Sequence, residues 1–252
     1  MIKIADNDFN VESHINALAV GNPFGCRIKS LYNTYDYNLP FVDFWAQLID
    51  GNPTALIARL ETAFILQITD YADIDELSAF MRVSGAASII ADGKYKLCIG
   101  LDKITGPILK SSVVMENERS FTVNEPTVKE VYSVISKCAS KNFAVPSFES
   151  FALDVSHRLS KNTLRIYGIK EKLTFISCIM TLAESDDSAV LGALATDPDY
   201  RNSGFGTFLI KYINNVLVNE GKSVFLHRAP DENIDFYNKL GFEHFGTWAE
   251  YS

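Results

Sequence analysis

The stretch ATDPDYRNSGFGTFLIKYI, Ala195 to Ile213, constrains the fold more than any other part of this chain. Phe205, Phe208, Leu209, Tyr212, Ile213, Val216 and Leu217 recur at i, i+3, i+4 and i+7, the stripe of an amphipathic helix starting near Gly204 or Phe205 and closing at Gly221. Ahead of it, SAVLGALAT (Ser188 to Thr196) reads as a strand. A strand that ends in a glycine turn and opens a helix leaves unpaired N–H groups pointing one way. Together with the positive end of the helix dipole they form an anion site. Gly204 and Gly206 remove side chains that would bar a phosphate from the amides of residues 202 to 207, and Arg201 can add a charge-assisted contact. A purely structural turn would use the same glycines, so the turn alone leaves both readings open. A dinucleotide fingerprint fits worse, because Leu209 stands where its third glycine belongs, and a Walker A loop lacks its Gly-Lys-Ser/Thr.

Around this segment the periodicity predicts an α+β chain with a mixed, mostly antiparallel central sheet flanked by helices, plus a smaller α+β N-terminal domain. TLRIYGI, KLTFISCIMTLAE and SAVLGALAT, joined by short polar connections, form an antiparallel meander. Two helices precede it. One carries Val128, Val131, Tyr132, Ile135 and Cys138; the other is capped by Ser147, has Glu149 in its first turn, and turns Phe148, Phe151, Ala152, Val155 and Leu159 to the core. SFTV leads into them as a strand, KSVFLH follows the long helix as another, and DENIDFYNKLG is a short helix capped by Asp231 and stopped at Gly241. FEHFGTWAEY supplies the last strand. In the first half, PTALIARL and ETAFILQI are adjacent strands, Asp73 and Glu76 open a helix that closes at Gly85, and AASIIAD is a further strand. The aromatic run LPFVDFW is read as core. The charged patch VVMENERSFTVNEP, residues 113 to 126, separates the blocks and sets the expected domains at 1–117 and 118–252.

Composition excludes more than it identifies. The net charge is −8, from 31 acidic and 23 basic residues, and no basic stripe appears, so no nucleic-acid partner is expected. No apolar run approaches the roughly 18 residues of a membrane span, and no signal pattern opens the chain, so a cytoplasmic protein without a membrane partner is expected. Cys26, Cys98, Cys138 and Cys178 lie far apart with only four histidines, which predicts no metal site; Cys138 and Cys178 read as small core residues.

ALATDPDYRNSGFGTFLIKYI, followed after one strand by NIDFYNKLGF, resembles the GNAT superfamily of acyl-CoA-dependent N-acyltransferases over residues 118 to 252. The resemblance implies that the loop from Arg201 through Asn202, Ser203, Gly204, Phe205 and Gly206 to Thr207 holds the coenzyme A diphosphate. It implies that the strand end Leu194, Ala195 and Thr196 pairs with pantetheine, and that Tyr237 lies close to the sulfur as the acid. It therefore points to acetyl-CoA as co-substrate and to direct acetyl transfer onto a primary amine, carried by a small molecule or a peptide. The asparagine common in this family seven residues before the tyrosine is Pro230 here, and Asn233 is the substitute. For the base, the strand AVLGALA offers no carboxylate, and Glu184 and Asp186 fall in the turn at its far end; His227, ending KSVFLH, is the candidate. Gly192 inside its strand reads either as a bulge that frees an N–H near Leu194 or as a glycine tolerated for packing. The N-terminal block reads as a shortened, degenerate copy of the same fold. The alternative to an enzyme is a catalytically weak or inactive acyl-CoA sensor.

Overall fold

The computed structural model describes residues 1–6, 9–35, 39–140, 143–230 and 232–252. These divide into two compact units, Met1–Leu109 with His244–Ser252, and Lys110–Glu243. The division falls eight residues before the expected 117/118 boundary, and the last strand belongs with the first unit. No helix among the described residues is long and apolar enough to cross a membrane.

The first unit runs β1 (Ile2–Ile4), α1 (Glu12–Leu18), α2 (Pro23–Thr34), β2 (Val42–Ile49), β3 (Asn52–Leu60), β4 (Ala63–Ile68), α3 (Ile74–Val83), β5 (Ser88–Asp92) and β6 (Lys103–Ser111). Strands β1 to β4 pair antiparallel in sequence order, β5 then adds to β4 in parallel, and α3 is the crossover that a parallel neighbour requires. Asp73 caps α3 as expected, accepting from the Glu76 amide at 2.9 Å. Sequence periodicity misses α1, α2 and β6. Helix α2 is set by Pro23 at its first position and by Asn22, whose side chain accepts from the amides of Phe24 and Gly25. LPFVDFW does enter the core: it leads into β2, where Phe44 is buried and Trp45 stacks on Phe64.

The second unit runs β7 (Val123–Asn124), α4 (Val128–Lys137), α5 (Phe148–Ser160), β8 (Ile166–Glu171), β9 (Thr174–Glu184), β10 (Ser188–Thr196), a single 3-10 turn (Pro198–Tyr200), α6 (Phe205–Asn219), β11 (Ser223–His227) and α7 (Ile234–Leu240). The chain then enters β12 (Glu243–Tyr251), which pairs antiparallel with β5 of the first unit's sheet. The expected strand SFTV shrinks to the two residues of β7. Thr127 and Glu130 form a reciprocal capping box that starts α4, and Ser147 caps α5 by accepting from the Ser150 amide. Asp231, read as the cap of α7, lies outside the described residues.

The predicted meander is present: β8–β9–β10 are antiparallel, and β11 joins β10 in parallel after α6. Alternation along the strands assigns the helices to opposite faces. Ile166 packs in the cluster that α4 and α5 build with Val131, Ile135, Phe151, Val155, Cys178 and Met180. Its neighbour Tyr167 points the other way, onto Tyr212 of α6, with ring centroids 5.4 Å apart. Helix α6 buries Phe208, Leu209, Ile210, Ile213 and Leu217, close to the stripe read from the sequence.

Both units therefore repeat one succession, strand, two helices, three antiparallel strands, helix, parallel strand.

Candidate active site

The site is built where β10 stops pairing on one side. The β10–β11 ladder runs from Ser188↔Ser223 to Leu191↔Leu226, whereas β10 continues to Thr196, still paired with β9 on its other edge. A register shift between Gly192 and Ala195 marks a bulge, and Ala193 adopts φ 49°, unusual for a side-chain-bearing residue. The bulge expected at Gly192 is present, and packing acts there too, because a Cβ would sit 2.4 Å from Leu182 Cδ1. From the bulge onward, the edge of β10 turned toward β11 has no strand partner in the described register.

The end of β10 is tied down from three directions. Ser177 Oγ donates to the Ala195 carbonyl at 3.1 Å, Cys138 Sγ donates to that of Thr196, and the Asp197 amide donates to Ile176 at 2.8 Å. Asp197, buried, also forms an ion pair with Lys137 at 2.5 Å. The Lys137 ammonium holds the Asp197 carboxyl below the usual carboxylate range.

The turn that follows has the backbone of an anion cradle. Asn202 (φ 61°) and Gly204 (φ 87°) are both left-handed, which rotates successive amides to one side as in a backbone nest. Helix α6 begins with no side-chain cap and no acidic residue in its first turn, so its leading N–H groups are left for another acceptor. Arg201 Nε donates to the Thr196 carbonyl at 3.2 Å, which holds the guanidinium beside the strand end. A Cβ on Gly206 would lie 3.4 Å from Thr196 Oγ1 and 3.8 Å from Leu194 Cδ1. The backbone there tolerates a side chain, and the space it would fill belongs to the cleft.

That cleft has a volume of about 570 Å³. Leu194, Ala195, Thr196, Arg201, Asn202, Gly204, Phe205, Gly206, Thr207, Asn233 and Tyr237, all expected from the sequence, line it. Ser203 does not; its carbonyl instead accepts from Arg119 Nη1. His227 does not line it either. It ends β11 one residue past the last β10–β11 pair, half-buried, and the geometry brings it to the mouth of the splayed strands rather than into the cleft. Glu184 is committed elsewhere, to Arg165 at 2.8 Å and Lys222 at 2.9 Å.

Tyr237 faces the cleft from α7, its ring edge-on to Phe236 and Phe242. Burial pushes its phenol pKa above the ordinary value near 10, with Arg228 opposing part of the shift. The group is a protonated donor throughout the neutral range. Asn233 starts α7 in a left-handed conformation without capping it.

Several lining residues carried no sequence signal. Cys138, read as core, is half-buried and open to the cleft, with Ser140, Tyr200, Glu232 and Phe236. Cys178 is the buried thiol, its pKa pushed up to about 12 by burial. Arg119 lies in the patch read only as a domain boundary. Its partner Ser203 is 84 positions away, a separation that no local pattern encodes.

A strand end with a free edge, an uncapped helix start behind a left-handed turn and a protonated tyrosine share one cleft. Residues 163–244 match the acetyltransferase (GNAT) domain family. The second unit contains a GNAT domain. Among solved structures, the chain is similar to a GNAT-family acetyltransferase from Colwellia psychrerythraea, at 10% identity and TM-score 0.59 over 100% of this chain and 98% of that one. It is similar to a tandem GNAT protein from the clavulanic acid biosynthesis pathway, at 12% identity and TM-score 0.61 over the same shares. It is also similar to a GCN5-related N-acetyltransferase from Kribbella flavida, at 12% identity and TM-score 0.61 over 90% of this chain and 92% of that one. At such identities the likeness is one of fold. No curated protein matches the sequence. Within the GNAT domain, the matched region takes in the bulge of β10, the glycine turn and α7, and leaves out α4, α5 and Arg119.

Proposed function

We propose that the second unit transfers an acetyl group from acetyl-CoA to a primary amine by direct attack. The observation that supports this most is the uncapped start of α6 behind the left-handed turn at Asn202 and Gly204, which leaves the leading amides of the helix for an acceptor in the cleft that Arg201 and Gly206 line.

In this reading the amides of residues 202 to 207 and the Arg201 guanidinium bind the diphosphate, and the free edge of β10 at Leu194–Thr196 pairs with the pantetheine amides. Acetyl-CoA supplies the thioester, and coenzyme A leaves as the thiol. The bulge after Gly192 turns a main-chain N–H near Leu194 toward the thioester carbonyl oxygen, where charge develops. The amine nitrogen bonds to the carbonyl carbon as the C–S bond breaks, and Tyr237 gives its hydroxyl proton to the departing sulfur. The amine's own proton passes to solvent, and solvent returns a proton to the Tyr237 phenolate. His227 lies outside the cleft and is given no part, so the acceptor reacts as its free base.

The first unit is a degenerate copy without cofactor. Its counterpart of the glycine turn, Thr69 to Asp73, contains no glycine and carries Asp70 and Asp73. The Asp73 carboxylate already takes a first-turn amide of α3. An anion would meet like charges there.

Thiol release from acetyl-CoA with a panel of amines, alongside calorimetry of acetyl-CoA binding, tests the proposal. Turnover with at least one amine, lost in Tyr237→Phe, is expected. Tight binding with no turnover for any amine, and no effect of Tyr237→Phe, would make the protein a sensor instead.

A further inference from the structure

A second, smaller cleft of about 200 Å³ lies on the other flank of the glycine turn and shares Gly204 and Thr207 with the first. Two cations from separate stretches of chain line it, Arg119 and, one turn further along α6, Lys211. Each is held by a main-chain carbonyl rather than by a carboxylate: Arg119 donates to Ser203, and Lys211 Nζ donates to Glu116 at 2.8 Å. The exposed Glu118 is the one acid in the lining and leaves it net positive. The Arg119 guanidinium lies directly over the turn, 2.8 Å from where a Gly204 Cβ would stand.

These cations add to an already positive place, the uncapped start of α6 with Arg201 nearby. Three positive features converge against the single exposed carboxylate of Glu118 and leave the place net positive, an arrangement suited to a ligand of high negative charge. The acyl-CoA reading, on which this inference rests, supplies such a ligand. With pantetheine running from the turn toward Thr196 and Tyr237, the nucleotide must leave on the opposite side, past Gly204 and Thr207. Its ribose carries a phosphomonoester that is largely a dianion at neutral pH.

We infer that Arg119 and Lys211 form a subsite for the ribose phosphate of coenzyme A and make the protein select the phosphorylated nucleotide over its dephospho form. Arg119 thereby has two contacts, the Ser203 carbonyl that shapes the turn and the phosphate that the cleft receives.

The test is calorimetry on the full chain with coenzyme A and with dephospho-coenzyme A, which lacks only that phosphate. Wild type should bind coenzyme A roughly tenfold more tightly, the size of one exposed charge-assisted contact pair. In Arg119→Ala and in Lys211→Ala the ratio of the two affinities should fall toward one. A role confined to holding the turn would weaken both nucleotides equally and keep the ratio, which overturns the inference. Equal affinities in wild type overturn it too, while leaving the acyl-CoA reading intact. Binding of neither nucleotide removes both.

Discussion

Replacing Gly206 by alanine should make the protein more stable and a worse binder of acetyl-CoA. Gly206 is the second residue of α6, it does not have a positive φ, and the methyl's nearest neighbours would be at 3.4 and 3.8 Å, ordinary contact distances. At a compatible position, Gly→Ala stabilises by about 0.4 to 1 kcal/mol, mainly by restricting the unfolded chain. For a chain of this size that raises the melting temperature by about 1 to 4 °C. The same methyl points at Thr196 and Leu194, into the space assigned to the diphosphate. Pushing that group outward loosens one or two charge-assisted hydrogen bonds, each worth about 1.5 kcal/mol or more, and weakens binding by roughly tenfold to a hundredfold. Thermal melting and calorimetry on one preparation read both effects. A melting temperature that rises while affinity stays at the wild-type value would refute the placement of the diphosphate. A fall in melting temperature would refute the claim that no side-chain clash occurs. Gly204→Ala is the contrast: its φ of 87° strains any side chain, so it should lose about 1 to 2 kcal/mol of stability.

Tyr237→Phe should lower kcat about a hundredfold with little change in KM for acetyl-CoA, measured by thiol release. Because burial raises the Tyr237 pKa, the wild-type rate should show no falling limb below about pH 10. Folding favours the neutral phenol, a contribution to stability present below the unfolded value near 10 and lost as pH rises through the folded one. The lowered Asp197 pKa acts at the other end. Its contribution is present above the unfolded value near 4 and disappears as pH falls through the folded value, so melting curves below about pH 4 should lose less in Asp197→Asn than in wild type; the half-exposed Lys137 keeps that effect small. Calorimetry should count one acetyl-CoA per chain, and a second equivalent would contradict the reading of the acidic turn in the first unit. Maleimide should label the exposed Cys98 and the cleft-lining Cys138, with acetyl-CoA protecting Cys138 alone, as mass spectrometry of the peptides would show.

The parts legible in the sequence are those whose causes lie within one turn of helix or one hairpin. The α6 stripe, the meander, the caps at Asp73 and Ser147, and the glycine turn are all local patterns, and each stands where the periodicity puts it. Elements set by distant partners were not legible. Helices α1 and α2 and strand β6 carry weak local patterns, and the last strand pairs with β5, more than 150 positions away.

By itself, the sequence determined that a strand, a left-handed turn and a helix would leave amides without partners, because glycine spacing and apolar period act between near neighbours. Only the tertiary structure decided what shares the space in front of those amides. The end of the β10–β11 ladder opens the strand edge, α7 brings Tyr237 to the cleft while His227 stays outside it, and Arg119 crosses over the turn from the other end of the unit. The physical reason is range: backbone preference acts over a few residues, whereas a cleft forms where surfaces from distant segments fail to fill the volume between them.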